Sequence, residues 1–265
     1  MMQSEESLAN PLMQRYLDYS GGILTLPALD YLNEQAGRLQ IVTGGCHPLR
    51  FALPEPHVDY ELQAYRSGVV STRPDNWHDA FNALVWLKFP KSKAALNFCH
   101  IAARERVGSE RKQRGKARDA LTQFDECGVV VAGTSPTIWQ ALSGHQWTDV
   151  FVDRRSELLA TTRFIVFGHG SLDALRAPFV GLCGKAVFIP IDADGLAAVD
   201  AADLREADNA LARRVISTNS SSEAVLRLQP LPLLGIPGAT DENTCAGYYQ
   251  DTRQFRPIRL STGER

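Results

Sequence analysis

Residues 72–100, TRPDNWHDAFNALVWLKFPKSKAALNFCH, decide how the chain is read. Asn76 has the short polar side chain of a helix N-cap, and Asp79 stands three residues on, where a carboxylate gives a variant of the capping box. Phe81, Leu84 and Val85 supply the apolar side of this helix, and Pro90 ends it. A second helix is predicted from Ser92 to Val107, with Ala95, Leu96, Cys99, Ala102 and Ala103 at spacings of three and four. The short connection predicts that the two pack as an antiparallel pair. Each also carries a polar stripe, His78 and Asn82 on the first and Asn97, His100 and Arg104 on the second, and in such a pair the stripes can face one another.

Working outward, the string ARDALTQFDEC (117–127) reads as a third helix, stopped by Gly128 and followed by a buried strand over Val129 to Ala132. Asp119, Thr122, Asp125 and Glu126 recur at spacings of three and four, opposite Ala120, Leu121 and Phe124. Two carboxylates in the last turn oppose the helix dipole, each at a cost of up to ~1 kcal/mol, so local stability does not account for them. Gly168-His169-Gly170 breaks a strand running from Arg163 to Phe167, and Ser171 can cap a short helix, so His169 is expected at a strand-to-helix turn. Between the second and third helices, Arg104 to Asp119 holds seven basic and three acidic residues without apolar periodicity. Residues 104–118 are therefore expected to form a mobile basic loop.

Elsewhere, residues 1–20 carry little pattern and are expected to be poorly ordered. Pro27 opens a short helix that ends at Gly37; Gln40 to Thr43 and Leu49 to Leu53 suggest a hairpin; Asp59 to Arg66 is a helix ending at Gly68. Helices are predicted after Ser135-Pro136, from Trp147 to Ala160 and from Asp200 to Val215, with a strand over Lys185 to Ile191. The tail, PLPLLGIPG (230–238) and the aromatic stretch to Arg256, is expected to wrap the core in extended form. Helices outnumber strands and do not alternate with them, which predicts an α+β fold: one helix-rich compact domain over residues 1–265, with a small sheet and an extended, proline-bound C-terminal tail.

The 265 residues are 44% hydrophobic and 22% charged, enough to build a core. A net charge of −2 gives no long-range pull toward nucleic acid or anionic lipid. No apolar run reaches the ~18 residues of a membrane span, and the N-terminal stretch has two glutamates and no continuous apolar region, so a cytoplasmic protein without a membrane partner is expected. Five scattered cysteines without a Cys-x-x-Cys pair read as reduced, mostly buried thiols. With no phosphate-binding loop, dinucleotide fingerprint or Gly-x-Ser-x-Gly elbow, no nucleotide cofactor is expected.

The string from Thr72 to His100, together with RDALTQFDECG, FGH and PLPLLGIPG, resembles a family of bacterial proteins catalogued as domain of unknown function 3025, over roughly Tyr60 to Pro257. Gly170 stands where that family more usually has alanine, and Asp173 where it has glutamate. The resemblance implies no activity and assigns no catalytic residue, so the chemistry rests on the residues themselves.

Imidazole and carboxylate are the donors that a borderline or hard divalent cation needs, and also the groups that general acid-base catalysis needs. His78, His100, Asp119, Asp125 and His169 are the expected ligands of a divalent metal (Zn, Mn or Mg), and His78, Asp79, His100, Asp125 and Glu126 the expected catalytic groups. Arg73, Arg104 and Arg118 would bind an anion, with Asn82, Asn97 and Thr122 in support. The function this pattern predicts is a metal-dependent hydrolase acting on a phosphorylated or other anionic small molecule. Two other readings stand beside it. The 104–118 segment could bind nucleic acid or a protein without catalysis, or the polar network could be purely structural. In that last case Asp79 is only a helix cap, His100 is bonded to Asn82 or Asn97, and Asp125 and Glu126 are paired with Arg73 or Arg118. The sequence leaves the oligomeric state open.

Overall fold

The computed structural model describes residues 10–17, 26–105, 111–218 and 226–258, the side chains at 111–114 and 116–117 excepted. In chain order these form α1 (Pro11–Leu17), α2 (Leu29–Arg38), β1 (Arg50–Ala52), α3 (Tyr60–Ser67), β2 (Val69–Ser71), α4 (Trp77–Lys88), α5 (Pro90–Glu105) and α6 (Arg111–Cys127). After them come β3 (Gly128–Gly133), α7 (Pro136–Ser143), α8 (Arg155–Thr161), β4 (Thr162–Val166), α9 (His169–Ala174), β5 (Cys183–Pro190), α10 (Ala193–Asp200), α11 (Arg205–Ser217) and β6 (Gln229–Pro232). The fold is α+β, with one contiguous hydrophobic core.

Val129 to Ala132 are apolar without alternation, the pattern of a strand covered on both faces, and all four are fully buried. They lie in β3, second in a four-stranded sheet of order β4-β3-β5-β6. β4 and β5 flank β3, antiparallel and parallel, with Val130 opposite Ile165 and Val187. In β6, Leu231 and Gln229 lie opposite Gly184 and Ala186, while Pro232 and Pro230 lie opposite Cys183 and Lys185. Because proline has no N–H, the strand donates to β5 from Gln229 and Leu231, and the prolines occupy the positions whose nitrogen faces away from the sheet.

Three fully buried phenylalanines lock together the segments that carry the candidate site. Phe167, at the end of β4, stacks on Phe124 of α6 (ring centroids 4.9 Å) and meets Phe89 edge-on at 5.3 Å. Phe89 is the single residue joining α4 to α5, and Pro90 starts α5 where a missing N–H costs nothing. The next two amides of α5 donate to Asp208 of α11, from Lys91 at 3.0 Å and Ser92 at 2.8 Å, and the Ser92 hydroxyl bonds the same carboxylate at 2.6 Å. Burial pushes the Asp208 carboxyl up, against these bonds. Asp208→Ala strands two helix-terminal amides and a buried hydroxyl. A loss of about 2–3 kcal/mol is expected in urea unfolding, with the unfolding slope unchanged.

Several sequence expectations need correction. The expected hairpin is short: around the antiparallel bridge of Val42 and Pro48, the Thr43 amide donates to the His47 carbonyl and the Leu49 amide to the Ile41 carbonyl, but β1 then pairs in parallel with β2, across α3. The 104–118 segment is not a loop where it is described, since Arg104 lies in α5 and residues 111–118 are the first two turns of α6; Arg, Lys, Gln and Ala are strong helix formers that extend the helix backwards. Residues 106–110 lie outside the described residues, as do 1–9 and 18–20, but Pro11–Leu17 is helical with Met13 and Tyr16 buried. The helix placed at Asp200 to Val215 is α11, which starts only at Arg205; Asp200 ends α10, and Ala202, whose φ of 61° is left-handed, lies between the two. That placed at Trp147 to Ala160 is broken at Arg154, after a π-helical turn over Asp149–Asp153. The tail is not simply extended: beyond β6 it coils in short 3₁₀ turns, with Tyr249 buried against Phe151 and Phe255 buried against Tyr249. None of the five cysteines is in a disulfide, but only Cys99 is buried, where mostly buried thiols were expected.

Candidate functional site

His78, Glu126 and His169 come from three segments pinned by the phenylalanine cluster. His78 is the second residue of α4, which Asn76 caps as expected by accepting the Asp79 amide at 3.0 Å. Glu126 lies in the last turn of α6. His169 begins α9, after Gly168. A Cβ on Gly168 would lie 2.4–2.5 Å from backbone atoms of Glu126, Cys127 and Gly128, so only glycine lets the two backbones touch here. The Phe167 and Gly168 amides both donate to the Gly128 carbonyl at 2.8 Å, which fixes the turn on the end of α6. A Cβ on Gly170 would come within 2.7 Å of Glu126 Oε2, so a side chain there would displace the Glu126 carboxylate.

His169 Nε2 lies 3.4 Å, and His78 Nε2 3.9 Å, from Glu126 Oε1. The two imidazoles meet edge to face with centroids 4.5 Å apart. One ligand atom from each of the three residues falls within 4.8 Å of the other two, and the group can hold a metal ion. His169 is buried, whereas the side chains of His78 and Glu126 are 37% and 42% exposed, so solvent reaches the group from one side. The His169 imidazole holds the Glu126 carboxyl below its ordinary value, against the opposing effect of partial burial.

Behind the group lies a buried polar row. Asp125 Oδ1 receives the Lys93 ammonium at 2.6 Å, and Lys93 also donates to Asn82 Oδ1 at 2.9 Å. Asn82 donates to the Tyr60 hydroxyl at 2.8 Å. The Lys93 side chain is 3% exposed. Burial pushes the Asp125 carboxyl up and the Lys93 ammonium down, but the pairing, with His169 and His100 beside Asp125 and Tyr60 and Glu61 beside Lys93, more than offsets this and leaves Asp125 lowered and Lys93 raised. His169 Nδ1 lies 4.0 Å from the second oxygen of Asp125; it is buried and has no hydrogen-bond partner. On another side, His100 Nε2 is 4.0 Å from Glu61 Oε1, and Asn97 ties down Glu61 (2.7 Å) and the Gly44 amide (3.2 Å).

His78, Asp79, Asn82, His100, Thr122, Asp125, Glu126 and His169, all singled out in the sequence, thus line one cleft of about 370 Å³, with Arg73 at its rim. Their roles divide differently from expectation. Asp125 is held by Lys93 rather than by Arg73 or Arg118, and His100 stands with Glu61 outside the three-residue group. Asp79 accepts two side-chain bonds from Arg73 (2.8 and 2.9 Å) and its amide at 2.8 Å, which lowers its pKa against the burial penalty and commits it to a structural pairing. Arg104 is paired with Asp59 at 2.7 Å, away from the cleft, and Arg118 and Asn97 do not line it.

Asp119, expected as a ligand, stands apart from the group: it is exposed and outside the cleft. Each step of three along a helix falls about 60° short of a turn, so the two steps from Asp119 to Asp125 lose the shared face. Lys93, Glu61 and Tyr60 were not singled out from sequence. Lys93 was detectable, because it precedes Asn97 by four and His100 by seven and so belongs to their stripe.

No helix among the described residues is long and apolar enough to cross a membrane. Comparison with curated proteins and with solved structures gives no match. The family model described as "Protein of unknown function (DUF3025)" matches residues 49–259, a stretch that holds every residue lining the cleft, and the chain belongs to that family.

Proposed function

We propose that the cleft is the active site of a metal-dependent hydrolase acting on a phosphorylated or otherwise anionic small molecule. The observation that carries the reading is the convergence of His78, Glu126 and His169 at the open side of a cleft whose charge is unbalanced. Glu61, Asp79, Asp125 and Glu126 face it, against Arg73 at the rim and Lys93 behind it. With neutral imidazoles that leaves two negative charges in excess, which one divalent cation (Zn, Mn or Mg) neutralises.

Two imidazoles and a carboxylate are a donor set that leaves room for water, and a zinc ion held by His78, Glu126 and His169 would lower the pKa of such a water to about 7. His100, backed by Glu61, is the imidazole that ligation leaves over, and it takes the proton from the attacking water. Asp125, charge-balanced by Lys93, stays ionised behind His169. Arg73 at the rim meets the anion as it enters, exchanging part of its pairing with Asp79. In the noncatalytic alternative the 104–118 segment binds nucleic acid or a protein; within it, Arg104 is already committed to Asp59.

Chelator-treated protein is expected to melt higher on adding at least one of Zn²⁺, Mn²⁺ or Mg²⁺; a hundredfold excess over Kd corresponds to about 2.7 kcal/mol. The same ion is expected to switch on hydrolysis of p-nitrophenyl phosphate or its diester. Identical melting temperatures with and without each of the three ions would remove the reading.

A further inference from the structure

We propose that Asp125 and Lys93 are positioning residues of the metal centre. Lys93 pins one oxygen of Asp125 so that the other receives the Nδ1–H of His169, which commits Nε2 of that ring to the cation. The inference rests on reading His78, Glu126 and His169 as ligands, and concerns what holds His169 in that role.

The two nitrogens of His169 face different carboxylates. Nε2 points toward Glu126 at 3.4 Å, where His78 converges. Nδ1 points inward, buried and without a partner, with Asp125 Oδ2 4.0 Å away. Buried donors are seldom left unpaired, and a rotation of the ring that closes this gap by about 1 Å brings the pair into hydrogen-bond range. A carboxylate behind a ligating imidazole fixes its tautomer and raises its basicity.

Asp125 can take this role because it cannot turn away. Its Oδ1 is held at 2.6 Å by Lys93, whose ammonium is itself anchored to Asn82 at 2.9 Å, and Asn82 to Tyr60 at 2.8 Å. Among the described residues, no hydrogen bond reaches Asp125 Oδ2 at the end of this row, and none reaches the buried His169 Nδ1 opposite it. A network built only to hold helices together would have paired them.

The test titrates the full chain with Zn²⁺ in competition with a chromophoric chelator, comparing the wild type, Asp125→Asn and the double variant Lys93→Met/Asp125→Asn. Asp125→Asn is expected to bind Zn²⁺ about 10–100-fold more weakly. The double variant removes both buried charges together, a change that leaves such folds intact, and is expected to show the same loss. With Co²⁺ in place of Zn²⁺, the visible absorption of both variants shifts from that of the wild type, a signature a merely structural role does not move. Asp208→Asn, a buried carboxylate remote from the cleft, serves as control: it lowers stability and leaves Zn²⁺ affinity unchanged. Either folded Asp125 variant binding Zn²⁺ as tightly as the wild type, with an unshifted Co²⁺ spectrum, overturns the inference while the metal site stands. A wild type that binds neither ion overturns both.

Discussion

Lys93→Met is expected to destabilise the protein by about 3–5 kcal/mol, because it leaves the Asp125 carboxylate buried without its counter-charge. The same substitution made together with Asp125→Asn is expected to recover most of that loss, since no lone charge is then left in the interior. Acid separates the single variant from the wild type. Burial pushes the wild-type Asp125 carboxyl up, but Lys93, with His169 and His100 nearby, more than offsets this and holds it low. Its stabilising contribution is therefore complete above about pH 4 and disappears as pH falls through the lowered value. In Lys93→Met the burial effect is unopposed by the ammonium and the carboxyl titrates above its unfolded value, so the variant gains stability as pH falls from 7 toward 5. Thermal unfolding at the two pH values measures this. A variant that loses stability on acidification in parallel with the wild type would show that the pair is not what holds Asp125 ionised.

The second large effect separates ligation from proton transfer. His169→Ala is expected to remove metal binding, and hydrolysis with it, down to the level of chelated protein. His100→Ala is expected to retain the metal while kcat falls about 10²–10⁴-fold, the usual worth of a positioned general base. Were the cleft only a packing network, His100→Ala would lower the melting temperature and change no rate. Measuring metal content, melting temperature and phosphatase rate on the same two proteins tells the cases apart.

Local signals in this chain were legible. The Asn76 cap, Pro90 between two helices, and the left-handed Gly68 ending α3 each depend on a few neighbouring residues, and each is found where the pattern puts it. His169 stood out because glycines on both sides make a turn, and Glu126 because a carboxylate at a helix C-terminus needs a reason beyond the helix. What was illegible is long-range. β1 pairs with β2 across an intervening helix, and nothing within three residues of Arg50 encodes that partner. Lys93 falls on the stripe of Asn97 and His100, but the stripe does not say that the lysine is buried or which carboxylate it meets. Its burial is set by Asp125, thirty-two residues later, and by Asn82 on the preceding helix. Glu61 reads as an exposed residue of a short helix until Asn97 and His100 arrive from α5.

The prolines of β6 bear on how this protein behaves when crowded with copies of itself. An incoming strand needs donors as well as acceptors along the edge it joins, and at Pro230 and Pro232 the outward edge supplies carbonyls alone. The opposite edge is occupied, since the Tyr16 hydroxyl bonds the Val166 carbonyl at 2.5 Å and Arg163 of β4 is clamped to Asp200 at 2.6 Å. The sheet thus offers no ready template for growth into fibrils or for strand exchange.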